Sequence, residues 1–308
     1  MQRDRLKYTA NLIGVSLLLF TFTNAVLHWL GSFLINRFFE GASFENPVGV
    51  PEVLVQGIYL LYATVPLCIA IIFLKKFTAR KKNTSLFKNA DATNPLPFVL
   101  AFLGVIPVTS LLSGLFERAL SSWVKLESVR PFVFPKDILA TVILFIYMCI
   151  VPAVLEEVLF RGYMQKMLMP YGAVFAIAVT SALFMLMHAR FYEMPSIFLL
   201  SMVLGYTAFL QKGIKTSILL HFINNAFAFA TEYAIQNIEG TAAITLVTVL
   251  FAICAVLGVL SLLILRNKER APLHTNTRPD RITRAEKMLS APFFTFALVV
   301  ICITLFLR

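Results

Sequence analysis

The stretch from Tyr8 to Asn36 contains no Asp, Glu, Lys or Arg. At 1.5 Å of rise per helical residue it is long enough to cross the hydrocarbon core of a bilayer, which takes about 20 residues. A secretory signal would show a shorter apolar region and a small-residue cleavage site, so this run reads as a retained helix. Eight further apolar runs follow: Val53–Leu74, Leu96–Phe116, Ile138–Leu155, Tyr171–Ala189, Met194–Gln211, Thr216–Thr231, Gly240–Leu265 and Leu289–Leu307. Free backbone groups find no partner in lipid, so spanning segments must be helices or strands of a closed barrel. The runs are unbroken and do not alternate over about ten residues as barrel strands do. The expected fold is an all-α, polytopic bundle of about eight to nine transmembrane helices.

Composition agrees. Only 14% of the 308 residues are charged, against about 25% in a soluble domain, which excludes a soluble enzyme and a disordered chain. The net charge of +11 would raise nucleic acid as a partner in a soluble protein. Here the basic residues fall between apolar runs, as membrane orientation requires, and no nucleic-acid partner is expected. Cys68, Cys149, Cys254 and Cys302 all lie inside apolar runs without metal or disulfide spacing.

Loop charge gives an orientation. Arg3, Arg5 and Lys7, the run from Lys75 to Lys88, Lys212 with Lys215, and the segment Arg266 to Lys287 all fall on one side of a nine-span arrangement. The positive-inside rule places that side, with the N-terminus, in the cytoplasm. The compact loops point to a prokaryotic plasma membrane. The organisation reads as an N-terminal membrane region (1–136), a core (137–239) and a C-terminal membrane region with a basic loop (240–308). Segment Arg118–Pro135, mixing aromatic and basic residues, reads as an amphipathic piece at the outer interface.

Ionisable groups inside spans cost several kcal/mol or are functional. Three sets stand out: Glu156 and Glu157 with Arg161, Phe184 with His188, and His221 with Asn225. Glu157 and Arg161 are four apart and share a helix face, so they can pair. Glu156 points about 100° away and is free to face a cavity. Pro170-Tyr171-Gly172 is the natural turn between the fourth and fifth spans. Glu156 precedes that turn, and His188 follows it, by nearly equal lengths of helix. The two can therefore meet across an antiparallel pair, provided the fourth helix continues to about Leu168. His221 and Asn225 again share a face. Phe184, one turn before His188, can wall the same cavity. His28 has no acidic or histidine companion in its own span and is left out of the site.

Two imidazoles, a carboxylate pair and an amide in a dry cavity suit water activation. A glutamate can act as general base, and imidazole or carboxamide groups can donate to an oxyanion. Glu156, His188 and His221 could alternatively ligate zinc, which accepts mixed nitrogen and oxygen sets. No HExxH is present, which excludes a zincin helix.

The ordered motifs EExxxR, FxxxH and HxxxN resemble the CAAX-protease and bacteriocin-processing family of intramembrane proteases over about residues 137–232. The resemblance implies that Glu156 activates water with His188, that His221 and Asn225 form the oxyanion site, and that Glu157, Arg161 and Phe184 support the geometry. It also implies a membrane-associated protein or peptide as substrate, in contact with membrane lipids. Members are described both as metalloproteases and as metal-independent glutamate proteases; the reading preferred here needs no cofactor, with zinc as the alternative. Two other classes remain open: a non-catalytic scaffold or self-immunity protein, and a transporter using the same polar cluster.

Overall fold

The structure, a computed structural model, describes residues 2–42, 47–78, 94–121, 133–265 and 281–306. Ten helices and no strand occur among the described residues. They are α1 (Gln2–Phe38), α2 (Glu52–Thr78), α3 (Leu96–Ser121), α4 (Ile138–Tyr171), α5 (Ala173–His188), α6 (Met194–Leu210), α7 (Lys215–Asn237), α8 (Thr241–Leu265), α9 (Arg281–Leu289) and α10 (Pro292–Phe306). The protein is an all-α membrane bundle. Each of the nine expected spans is one of these helices, and α9 is an additional short one. By length and composition six helices suffice to cross a membrane, and seven if the bent pair α9–α10 counts as one. The two that fall short, α5 and α7, are those bearing His188 and His221. α5 is an apolar helix of only 16 residues, and α7 carries polar residues along its length. The amphipathic expectation for 118–135 falls largely outside the described residues.

Contacts between helix ends fix the arrangement. At one end the Arg284 guanidinium donates to the Tyr171 carbonyl, and Thr9 meets the Tyr171 hydroxyl at 3.5 Å. Asn11 accepts from the Phe293 amide at 3.1 Å. The start of α1, the α4–α5 turn, α9 and the start of α10 therefore share that end. At the other end, Glu52 accepts from the Asp137 amide at 2.8 Å and Ser113 bonds Ser196. On the flank, α3 and α8 touch backbone to backbone: a Cβ on Gly104 would lie 2.5 Å from the Gly258 Cα. Small residues permit such an approach in membranes, where dispersion contacts rather than water exclusion hold helices together.

The core is uneven along the helix axes. α4 buries Leu159, Phe160, Met164 and Leu168 in its second half against Ala10, Ile13 and Leu17 of α1 and Leu74 of α2. Its first half leaves Ile138, Leu139, Val142, Ile150 and Val154 exposed. α1 changes in the same way, with Phe22, Trp29 and Phe33 exposed beyond Leu17.

Candidate active site

The polar cluster sits where the packed half of the bundle meets the open half. α4 runs as helix through Leu168, as the hairpin reading requires, but with two wider π-helical stretches, Ile146–Ile150 and Val158–Gln165. Such stretches are rare and often mark functional sites. Pro152 supplies a reason for the first. It has no N–H to offer the Met148 carbonyl four residues earlier, and its ring crowds that oxygen. The Asn225 side chain of α7 donates to this carbonyl at 3.2 Å.

The two adjacent glutamates have opposite surroundings. Glu157 is fully buried, and its Oε1 accepts from Arg161 Nη1 at 2.7 Å and from His221 Nδ1 at 3.1 Å. Arg161, also buried, donates through Nη2 to the Ser201 hydroxyl at 2.7 Å and the Ser201 carbonyl at 3.0 Å. One turn on, Gln165 donates to the Gly205 carbonyl at 2.9 Å. A polar stripe along α4 is thus tied to α6 and α7. The further hydrogen bonds from His221 to Glu157 and from Arg161 to Ser201 offset the cost of burying this ion pair, while Glu157 Oε2 has no hydrogen-bond partner among the described residues.

Glu156 instead faces a pocket lined by Phe20 of α1, Leu67 of α2, Leu159 and Phe160 of α4, and Met187 and His188 of α5. Its Oε2 lies 3.9 Å from Nε2 of His188 and 3.9 Å from Nε2 of His221, with no hydrogen-bond partner among the described residues. His188 is the last residue of α5, which ends at Ala189 in the left-handed conformation. Its Nδ1 donates to the Phe184 carbonyl at 2.8 Å, since a carbonyl only accepts. Phe184 packs against both imidazoles, with ring centroids 4.4 Å from His188 and 5.8 Å from His221. Its face carries the Arg161 guanidinium at 4.6 Å, an attractive geometry for a cation over a ring.

The structure therefore brings Glu156, Glu157, Arg161, Phe184, His188 and His221 together. Asn225 lies one turn along α7 and is engaged with α4. His28 stands apart, edge-on to Tyr62. Residue spacing did not reveal Ser201, Gln165 or Gly205. The signal that could have found Gln165 is the stripe Glu157, Arg161, Gln165 at one-turn intervals, which calls for acceptors on a neighbouring helix. Which helix supplies them is a matter of packing 40 residues away.

Both imidazoles hold Nδ1 against an oxygen and turn Nε2 toward Glu156, so three atoms of zinc-binding type converge. Their spacing does not form a ligand cage: among the described residues no group of three His, Cys, Asp or Glu side chains is placed to hold a metal ion.

Residues 138–227 match the family model described as Type II CAAX prenyl endopeptidase Rce1-like. The matched segment is less than a third of the chain, and it contains every residue of the cluster. The match supports a protease of the CAAX type in a membrane. No curated protein and no solved structure matches the chain.

Proposed function

We propose that the chain is an intramembrane endopeptidase that hydrolyses a peptide bond of a membrane-associated protein or peptide, with Glu156 as general base. The observation that carries this reading is the convergence of Glu156 Oε2 and two imidazole Nε2 atoms, each 3.9 Å away, beside a pocket. That gap is long for a direct hydrogen bond and suits a bridging water. With its proton on Nδ1, His188 presents a lone pair at Nε2. Water can then donate to Glu156 and to His188, leaving an oxygen lone pair for the scissile carbonyl.

As the C–O bond forms, Glu156 takes the water proton and the carbonyl oxygen becomes an oxyanion. Collapse breaks the C–N bond as the proton passes from Glu156 to the departing amine, and the second water proton, held against His188 Nε2, leaves the new carboxyl group through that imidazole, giving a carboxylate and an amine. In its imidazolium form His221 would keep one N–H on Glu157 and have a second, on Nε2, to donate to the oxyanion. Asn225, with one amide hydrogen on Met148, has a second for the same purpose. Donors of this kind are typically worth about 3–4 kcal/mol in the transition state.

Zinc is the second reading: Glu156, His188 and His221 carry donor types that would hold it, and it would supply a more readily ionised water, although among the described residues their spacing forms no ligand cage. The enzyme would sit in a prokaryotic plasma membrane with its basic N-terminal segment in the cytoplasm.

The test is cleavage of a quenched peptide library by purified protein in liposomes, comparing wild type with Glu156→Gln, with and without a chelator. Cleavage that requires Glu156 and resists chelation is expected. Chelator-sensitive cleavage restored by zinc selects the metal route. Equal cleavage by Glu156→Gln rejects the proposal.

A further inference from the structure

We infer that the pocket beside Glu156 is entered from the extracytoplasmic side, so that the substrate is an exported or outward-facing peptide anchored in that leaflet. This deepens the protease reading and rests on it for the word substrate; the direction of access stands on packing and charge alone.

Packing comes first. The route from the Tyr171 end of the bundle to Glu156 is filled. Leu6, Ala10, Ile13 and Leu17 of α1 interlock there with Leu74 of α2 and with Leu159, Met164 and Leu168 of α4, all nearly inaccessible. α9 and α10 add Met288, Ala291 and Phe294 to the same cluster. Protein interiors at this density admit no peptide without unfolding. On the opposite side of Glu156 the plug formed by this cluster stops, and the smaller buried cluster there, Ile35, Ala42, Val50 and Val55, joins the end of α1 to the start of α2 and includes no residue of α4 or α5. α5 ends at His188, whose side chain is 30% exposed, and Arg190 and Glu193 beyond it are largely in the open. A 16-residue helix rises only about 24 Å, less than a bilayer core of about 30 Å, and leaves a gap at that end. The first half of α4 and the second half of α1, exposed as described, border the same side. The pocket therefore lies at the floor of the open half.

Charge then says which half faces the cytoplasm. Of the 27 Lys and Arg residues, Arg37, Arg118, Lys125, Arg130, Lys136, Arg190 and Arg308 fall, by their order in the sequence, on the open-end side, while Arg161 is buried. All the others fall on the side of the sealed end, concentrated between α2 and α3 and between α8 and α10. The connection between α7 and α8 at the open end has no basic residue and contains Glu239, with Glu232 in the last turns of α7 before it. The bias in short loops sets orientation, and it puts the sealed end inside. A peptide bond presented at the cytoplasmic surface would meet the plug.

The experiment uses full-length protein in sealed membrane vesicles of known orientation and a membrane-impermeant thiol reagent, with wild type measuring the background of the four native cysteines. Met187→Cys and Leu67→Cys place thiols on the pocket wall from two different helices, and Glu193→Cys and Ser85→Cys report orientation. Expected is labelling of the pocket thiols and of Glu193→Cys in right-side-out vesicles only, and of Ser85→Cys in inside-out vesicles only. Pocket labelling confined to inside-out vesicles, equal from both sides, or absent in both variants overturns the inference. Because labelling needs no substrate, a protein that labels as expected but cleaves nothing would count against the protease reading alone.

Discussion

The two halves of α4 belong to one helix, the first uncharged and apolar and the second interrupted by Arg161, Gln165 and Lys166, and they serve different ends. The half from Val158 to Leu168 is locked: Leu159, Met164 and Leu168 are inaccessible, and Arg161 and Gln165 are tied to α6. Each half holds a π-helical stretch, but the half from Ile138 to Val154 adds a proline and exposed side chains. Glu156 and Glu157 stand at the junction, and one residue of offset assigns them to different worlds. Glu157 joins the locked half as the partner of Arg161 and His221, and Glu156 joins the open half as an unbonded carboxylate beside a pocket. A rigid block can hold imidazoles in place while the adjoining open region admits a substrate, which is how a preorganised site is built.

The comparison can be broken by substitution, beginning with the largest effect. Glu156→Gln should reduce peptide cleavage about 10²–10⁴-fold, the usual contribution of a general base. Its thermal unfolding in detergent should match wild type, because its Oε2 has no hydrogen-bond partner among the described residues. Arg161→Met should do the reverse first: stranding Glu157 without its buried partner costs about 3–5 kcal/mol, read as a large fall in unfolding temperature. An Arg161→Met protein as stable as wild type would mean that the locked half does not depend on this pair.

Gly258→Val tests a contact remote from the site. It forces apart the backbones of α3 and α8 and should destabilise by about 1–3 kcal/mol, as overpacking does. Cleavage per folded molecule should stay near wild type; a specific loss of activity would tie the flank to the site. Asn225→Leu should cost about 1–3 kcal/mol by leaving the Met148 carbonyl unsatisfied, and should lower kcat as well if its second amide hydrogen serves the oxyanion. Stability loss without a kcat effect would leave Asn225 as a purely positioning residue. Smallest is Arg190→Ala. Arg190 and Glu193 form an exposed pair at 3.2 Å, and such pairs contribute about 0–1 kcal/mol. An effect as large as that of Arg161→Met would mean the open end is more enclosed than its exposure indicates.

Much of the site was legible in the sequence because helical periodicity carries local geometry. The four-residue spacing placed Glu157 beside Arg161, and His221 one turn from Asn225. Equal arm lengths about Pro170-Tyr171-Gly172 brought His188 to the depth of Glu156. Periodicity says nothing about a partner on another helix. It therefore missed Ser201 and Gly205, and it placed Asn225 on the face of His221 without foreseeing the carbonyl freed by Pro152; the oxyanion role came from the family resemblance.

The sequence by itself determined that this chain is a helical membrane bundle, because long uncharged runs admit no other way to satisfy backbone groups in lipid. It also determined which residues are too costly to bury without partners or a purpose. Only the tertiary structure decided which glutamate is paired and which is open, and which end of the bundle is sealed. Those outcomes depend on how side chains from α1, α2, α4, α5, α6 and α7 share one volume, and close packing is a property of the assembled helices rather than of any one of them.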